Sequence, residues 1–137
     1  MMKFDFKVEA GDFTNAGTAS SEIKKILKQL NIDTKIIKRI VVAMYEAEVN
    51  IVAHSYGGEI IADIDTDRIL VKFEDSGPGI PDIEKAMEIG FSTASQKVRE
   101  MGFGAGMGLP NIKKNVDELN LSSVVGEGTT LTMTVNF

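Results

Sequence analysis

One carboxylate and two clusters of glycines are the residues whose types and spacing best fit a chemical role. Asp75 opens the first cluster, Asp75-x-Gly77-x-Gly79, directly after an apolar strand pattern. The second cluster is Gly104-x-Gly106-x-Gly108, and an amphipathic helix pattern follows it at once. Glycine allows close approach of a backbone to a ligand, and a helix start offers free N–H groups and a positive dipole end to anions. The arrangement predicts a phosphate-bearing ligand, held by a carboxylate at one end and by backbone amides at the other.

Taken singly, each cluster also has a simpler interpretation. Strand parity places Asp75 on the core-facing side with Phe73, which favours a ligand-binding role. An aspartate at this position is explained equally well by an Asx-turn that caps the strand end. The second cluster fits a flexible linker, although the helix behind it favours anion binding. Rossmann and P-loop interpretations are excluded, because the βαβ context and a Gly-Lys-Ser/Thr sequence are both missing. Taken alone, the stretch Gly126-Glu127-Gly128-Thr129-Thr130 predicts a simple hairpin turn.

A second set of polar residues lies in a helix that the sequence predicts at residues 34–54. Glu46 and Asn50 are four residues apart and share one helix face. A buried carboxylate needs compensation, from a cation or a substrate hydroxyl, or from an internal salt bridge or loop amide. Taken alone, the internal partner is favoured. Glu48 points roughly opposite and is given no role, and His54, the one histidine, excludes a histidine-rich metal site.

The elements that must position these residues follow from apolar periodicity. Strand patterns alternate between apolar and polar residues, so one sheet face is buried and the other meets water. The fold class predicted is therefore α/β, a two-layer sandwich of a mixed, largely antiparallel sheet with helices on one face. Residues 1–137 are expected to form one domain. The predicted strands are 3–9, 59–65, 68–75, 121–125 and 129–137, and the predicted helices are 18–30, 34–54, 82–87 and 109–119, with a mobile loop at 88–101.

Composition narrows the class of function. The 137 residues are 43% hydrophobic and 26% charged, with a net charge of -5 and no cysteine. Disulfides and thiolate metal sites are thereby excluded, and binding to nucleic acid or to an anionic membrane is disfavoured. No apolar run approaches the ~20 residues of a membrane span, and the N-terminus lacks a signal peptide's apolar core. We expect a cytoplasmic protein.

Taken together, the motifs resemble those of the GHKL ATPase superfamily. The four motifs come in that superfamily's order and span nearly the whole chain. The stretches 75–82 and 90–93 are similar to those of the anti-sigma-factor serine/threonine kinases of bacterial partner-switching systems, especially the RsbT-type switch kinases. The resemblance implies a Bergerat-type fold that uses ATP and Mg²⁺. The motifs that carry it are Glu46-x-x-x-Asn50, Asp75-x-Gly77-x-Gly79, Gly104-x-Gly106-Met107-Gly108-Leu109 and Gly128-Thr129.

The resemblance also implies a role for each motif residue. Glu46 would be the general base and Asn50 the Mg²⁺ ligand. Asp75 would accept a hydrogen bond from the adenine amino group, and Thr129 would support the same end of the ligand. The glycines would allow the ring and the phosphates to lie close to the backbone. The residues so assigned are Gly77 and Gly79 at the ring, and Gly104, Gly106, Met107, Gly108 and Leu109 at the phosphates.

One segment departs from the family pattern. The presumed lid, residues 93–103, is longer than in the RsbT-type kinases. Lys97 and Arg99 lie in this lid. They are placed to reach the γ-phosphate, and an interpretation as solvated loop charges is equally open.

The resemblance implies a protein kinase that phosphorylates Ser or Thr on a STAS-type antagonist. Its second partner would be a sigma factor or a metal-dependent serine phosphatase, and the chain is a possible homodimer. The alternative is a nucleotide-gated binding module with little catalysis. A detached histidine-kinase catalytic domain fits less well, because no dimerisation helix with a phospho-accepting histidine is present.

Overall fold

A computed structural model of the protein describes residues 1–87 and 108–137. A short 3₁₀ turn, Phe13–Asn15, precedes the first helix. The strands and helices in chain order are β1 Met2–Val8, α1 Thr18–Gln29, α2 Thr34–His54, β2 Gly58–Ile64, β3 Arg68–Ser76, α3 Ile83–Ala86, α4 Gly108–Asn115, β4 Glu118–Val124 and β5 Gly128–Asn136.

The strands form one five-stranded sheet in the order β1-β2-β3-β5-β4. Every strand pairing among the described residues is antiparallel. The α/β class and the largely antiparallel sheet predicted from strand alternation are thus confirmed.

The core lies between the sheet and the helices. Alternate strand residues such as Ala62, Val71 and Met133 are fully buried, whereas their neighbours along each strand are more exposed. Helix α2 is the central helix, since it packs against both α1 and α4. The helices contribute these buried apolar residues to the core: Ala19, Ile23 and Leu27 from α1; Ile37, Ile40, Ala43, Met44, Ala47 and Ile51 from α2; and Ile112 from α4.

The last helix is shorter than its apolar spacing predicted. It ends at Asn115, and Leu119 lies instead on β4, opposite Met133. Asp117 explains the change of direction. Its N–H donates to the Thr134 carbonyl at 2.9 Å, and its carboxylate accepts the Asn136 N–H at 2.7 Å. The chain therefore joins the sheet within two residues of the helix end, a tertiary contact that periodicity does not report.

None of the helices within the described residues is both long enough and apolar enough to cross a lipid bilayer.

Candidate functional site

The centre of α2 carries the first half of the site. Asp33 caps the start of this 21-residue helix, accepting the Lys35 N–H at 2.8 Å. Glu46 and Asn50 lie one turn apart on it, and both are partly rather than fully buried. This side of α2 is open to solvent, since the neighbouring Tyr45 is 38% exposed. A partly open face leaves both polar side chains within reach of a ligand.

Helix α4 begins against those two side chains. A Cβ atom on Gly108 would lie 3.2 Å from Asn50 Oδ1 and 3.6 Å from Glu46 Oε2. One turn further on, Asn111 Nδ2 donates to Glu46 Oε1 at 3.5 Å. The first turn of α4, whose N–H groups have no partner within the helix, therefore lies beside a carboxylate and a carboxamide. Leu109 is partly buried and packs against the core, so it anchors this helix start.

Asn111 had not been predicted as part of the site. The sequence does carry a signal for it, because residues three apart share a helix face and Asn111 follows Gly108 by three. A helix that starts at Gly108 would have pointed to Asn111.

The donor set of this half suits a hard cation that arrives with a ligand. Carboxylate and carboxamide oxygens are ligands that Mg²⁺ prefers, and Mg²⁺ is usually held by one or two protein oxygens plus substrate phosphates. In residues 1–87 and 108–137 no group of three or more His, Cys, Asp or Glu is placed to hold a metal.

The second half of the site lies at the end of β3. Asp75 is paired with Thr129 on β5, and its Oδ1 accepts the Thr129 N–H at 3.1 Å. Burial raises the pKa of the Asp75 carboxyl above its ordinary value, and the Thr129 hydrogen bond partly offsets that rise. The predicted parity of Asp75 is therefore confirmed, and the carboxylate is half-buried beside a fixed amide.

Gly77 and Gly79 have a backbone reason to be glycine. A Cβ on Gly79 would lie 2.6 Å from the Val124 carbonyl oxygen, and its φ of 76° is in the left-handed region. A Cβ on Gly77 would lie 3.1 Å from Ser55 Cα. These glycines therefore let the loop after β3 pack against the β4–β5 turn and the end of α2. Room for a ligand ring, their predicted role, stays a prediction.

The two halves are joined through α2. Ser55, the residue against Gly77, lies five residues beyond Asn50. At 1.5 Å rise per residue, about 7.5 Å of helix separates the two levels. The site therefore extends along α2 from Glu46 and Asn50 toward the loop after Asp75.

A groove also opens beside Glu46 on the side of α1. Its volume is about 650 Å³, and its walls are the first turns of α1 and the middle of α2. The residues that line it include Thr18, Ser20, Lys24, Val42, Tyr45 and Glu46. Glu46 is thus reachable both from the α4 start and from this groove.

Glu48 has a structural role that the sequence analysis did not assign. Its carboxylate is 2% exposed and accepts the N–H groups of Gly17, Ala19 and Ser20 at 2.9, 3.2 and 3.2 Å. Helix α1 starts at a glycine that supplies no side-chain cap, so Glu48 caps it from α2. The fully buried carboxylate of α2 is therefore Glu48, and its partners are internal amides.

Several predicted site residues lie outside the described part of the chain. The predicted loop at 88–101 falls within the undescribed segment. The candidate residues concerned are Lys97, Arg99, Gly104, Gly106 and Met107.

An α/β sandwich with a carboxylate, a carboxamide and a helix start at one end and a half-buried aspartate at the other is typical of nucleotide-binding ATPase-like domains. The chain belongs to the histidine kinase-like ATPase domain family, whose model matches residues 10–135. The sequence motifs resembled those of the GHKL ATPases, and this match confirms that resemblance.

Relatives within that family are named kinases and anti-sigma factors. The chain is 40% identical over 110 residues to the serine/threonine-protein kinase RsbT of Bacillus subtilis (strain 168), covering 77% of each chain. It is 32% identical over 139 residues to the anti-sigma F factor of Thermoanaerobacter sp. (strain X514), covering 98% of this chain and 92% of the relative.

A solved structure supports the fold. The crystal structure of the RsbU and RsbW domains of Rv1364c from Mycobacterium tuberculosis superposes with a TM-score of 0.67 at 18% identity. The match covers 98% of this chain and 32% of that one, so our chain spans about a third of it. At this identity the likeness shows the shared fold.

Proposed function

We propose that this protein is an ATP-dependent serine/threonine kinase of a bacterial partner-switching system. The observation that carries the proposal is that α4 starts at Gly108 beside both Glu46 and Asn50, so close that a Cβ atom on Gly108 would lie within 3.6 Å of each side chain. In the proposal Glu46 is the general base, Asn50 is the cation ligand, and the γ-phosphate lies between them and the N–H groups at the start of α4. The name of one relative, a serine/threonine-protein kinase, supports kinase activity, and the name of another, an anti-sigma factor, supports a role in sigma-factor regulation.

In this proposal Asn50 holds Mg²⁺ through its carboxamide oxygen, and the N–H groups at the start of α4 bind phosphate oxygens. Asp75 accepts a hydrogen bond from the adenine amino group, with Thr129 beside it. Gly104, Gly106 and Met107 are assigned to the phosphates with Gly108 and Leu109, and Lys97 and Arg99 to the γ-phosphate. Bound Mg²⁺ neutralises charge on the phosphates.

Glu46 would accept the proton of a Ser or Thr hydroxyl while that oxygen forms a bond to the γ-phosphorus. The bond between the γ-phosphorus and its bridging oxygen breaks, and ADP leaves. The groove between α1 and α2 gives an acceptor segment access to Glu46. Asn111, which donates to the same carboxylate, orients it. Phosphoryl transfer depends mainly on positioning and charge neutralisation, which these groups provide.

The partners proposed are a STAS-type antagonist as the phosphorylated protein, and a sigma factor or a metal-dependent serine phosphatase as the second partner. A homodimer and a cytoplasmic location complete the proposal. A nucleotide-gated binding module is a second candidate, and the match to an anti-sigma F factor over 98% of this chain favours it.

Glu46→Gln separates the two candidates. For a kinase, transfer of labelled γ-phosphate from Mg-ATP to STAS-domain proteins encoded beside this gene should fall by about 10²–10⁴-fold, because a general base contributes that much. ATP affinity should stay within a few-fold. Glu9→Gln, an exposed glutamate beyond β1, is the matched control.

Survival of partner regulation in Glu46→Gln without phosphate transfer in either protein would favour the binding module. Failure of the wild-type protein to bind Mg-ATP would sink both candidates.

A further inference from the structure

Three side chains form a row across the sheet at the end of the site where the adenine is proposed to bind. Asp75 on β3 is the register partner of Thr129 on β5, and Thr129 is the register partner of Ser123 on β4. Residues directly opposite each other in antiparallel strands point to the same face. Phe73 and Leu131, two residues from Asp75 and Thr129, are buried in the core. The row therefore lies on the face that the helices cover.

The hydrogen bonds of Ser123 account for its whole bonding capacity. A hydroxyl has one proton to donate and two lone pairs that accept. Ser123 Oγ accepts the Ile80 N–H at 2.7 Å and donates to the Gly128 carbonyl oxygen at 3.1 Å. Its third contact, with Thr129 Oγ1 at 2.9 Å, permits either atom to be the donor. Because a carbonyl can accept but not donate, the bond to Gly128 uses the Ser123 proton.

The direction of the third bond follows. With the Ser123 proton on the Gly128 carbonyl and one lone pair occupied by the Ile80 N–H, the arrangement that keeps all three bonds has the Thr129 hydroxyl donating to Ser123. With that proton engaged, Thr129 Oγ1 has lone pairs alone to offer a ligand. Asp75 is in the same condition when ionised, because a carboxylate accepts and does not donate. Its Oδ1 already accepts the Thr129 N–H, and no described residue donates to its Oδ2.

We propose that Ser123 is a positioning residue that holds the Thr129 hydroxyl as an acceptor, so that Thr129 and Asp75 together select a base with an exocyclic amino group over one with a carbonyl. This inference rests on the proposed nucleotide-binding function. Two acceptors match the two protons of a 6-amino group, directly or through one water. The same acceptors disfavour the oxygen of a 6-oxopurine, because an acceptor that faces another acceptor leaves both without a hydrogen bond. Ser123 itself touches no ligand.

The test compares ATP with inosine triphosphate, which carries an oxygen in place of the amino group. Dissociation constants for both are measured with wild type, Ser123→Ala and Ser122→Ala. Ser122 is the neighbouring, exposed serine on the opposite face and serves as the matched control. We expect wild type to prefer ATP. In Ser123→Ala the freed Thr129 proton can turn toward a carbonyl, so the preference should fall about tenfold, the scale of one hydrogen bond.

A structural role of Ser123, through its bond to Ile80, would weaken both nucleotides by the same factor. That result, or equal binding of the two by wild type, would overturn the inference. A double-mutant cycle with Thr129→Val adds a second readout, because the two substitutions should not add if Ser123 acts through Thr129.

If Ser123→Ala does not fold, Thr129→Val alone decides. Loss of an acceptor should weaken ATP and spare inosine triphosphate, and equal weakening would overturn the inference. Absence of any nucleotide binding by wild type would refute the proposed function instead, so the two failures are distinguishable.

Discussion

At the scale of single residues, Asp75 should control nucleotide affinity through its charge state. Asp75→Asn replaces an acceptor oxygen by a donor, which then faces either the Thr129 N–H or the ligand amino group. A hydrogen bond to a charged group contributes about 1.5–3 kcal/mol, so ATP affinity should fall by about 10–150-fold. Calorimetric titration with ATP measures this. Asp63→Asn on the adjacent strand β2 is the control and should bind like wild type.

The same residue predicts a pH dependence of binding. Because burial raises the pKa of Asp75 above the ordinary 3.8, the carboxylate is lost at a higher pH than in a free aspartate. ATP affinity should therefore decline as pH falls toward that raised pKa. Protonation of the phosphates also weakens binding near pH 6, so the comparison is with Asp75→Asn, whose curve should show that component alone. Parallel curves for the two proteins would contradict the role of Asp75.

Residue types and spacing were enough to name Glu46, Asn50, Asp75 and Gly108 as candidates, and the structure brings Glu46, Asn50 and Gly108 together. They were not enough to find Ser123, whose importance depends on which atoms three strands bring together. Likewise, the backbone N–H groups that donate hydrogen bonds to Glu48 lie 28–31 residues away along the chain. Helix periodicity gave the direction of Glu48 and could not say what it would meet there.

At the scale of elements, the Glu48 cap should determine how firmly α1 is held against α2. Glu48→Gln keeps the shape but turns one acceptor oxygen into a donor, so at least one N–H of the first turn of α1 loses its partner. We expect a loss of about 2–4 kcal/mol in the free energy of unfolding. Chemical denaturation followed by circular dichroism measures it.

Glu22→Gln, on α1 itself, is the matched control for that substitution. Glu22 forms an exposed pair with Lys25 at 3.5 Å, and its side chain is 51% accessible. Such pairs contribute little, so the control should stay within about 0.5 kcal/mol of wild type. If Glu48→Gln is equally mild, another group satisfies the amides of α1.

The elements themselves were predictable where apolar residues alternate or recur on one helix face. Helix α2 and strands β2 and β3 have the predicted extents to within a residue or two. The boundary between α4 and β4 was wrong, because the spacing of Val116 and Leu119 suits a helix as well as it suits a strand that follows a turn. The bonds of Asp117 to β5 decided between the two.

At the scale of the whole molecule, α2 links every part of the site to global stability. Its core face holds the sheet, its Glu48 holds α1, and its last residue, His54, is partly buried where the helix meets the loop after β3. Desolvation by this burial lowers the pKa of His54 below 6.5. Folding of the chain and protonation of His54 are therefore coupled.

The sign of that coupling gives a measurable pH dependence of stability. With its pKa lowered in the folded state, His54 binds a proton more readily in the unfolded chain, so stability falls as pH drops below about 6.5. The slope can reach about 1.4 kcal/mol per pH unit for one proton, until the folded pKa is passed. Since the chain has one histidine, His54→Gln should flatten the curve between about pH 5.5 and 7.

Asp117→Asn is the matched control for the dependence of stability on pH in the acid range. Hydrogen bonds from the Asn136 amide and from Arg39 lower the pKa of Asp117, so the stability it contributes is lost only as pH falls below 3.8. This variant should keep the wild-type slope near neutral pH and lose slope in the acid range. Urea denaturation at half-unit pH steps separates the two effects. Equal slopes for wild type and His54→Gln near pH 6 would mean that His54 carries the same proton affinity in both states, and that the end of α2 does not exclude water.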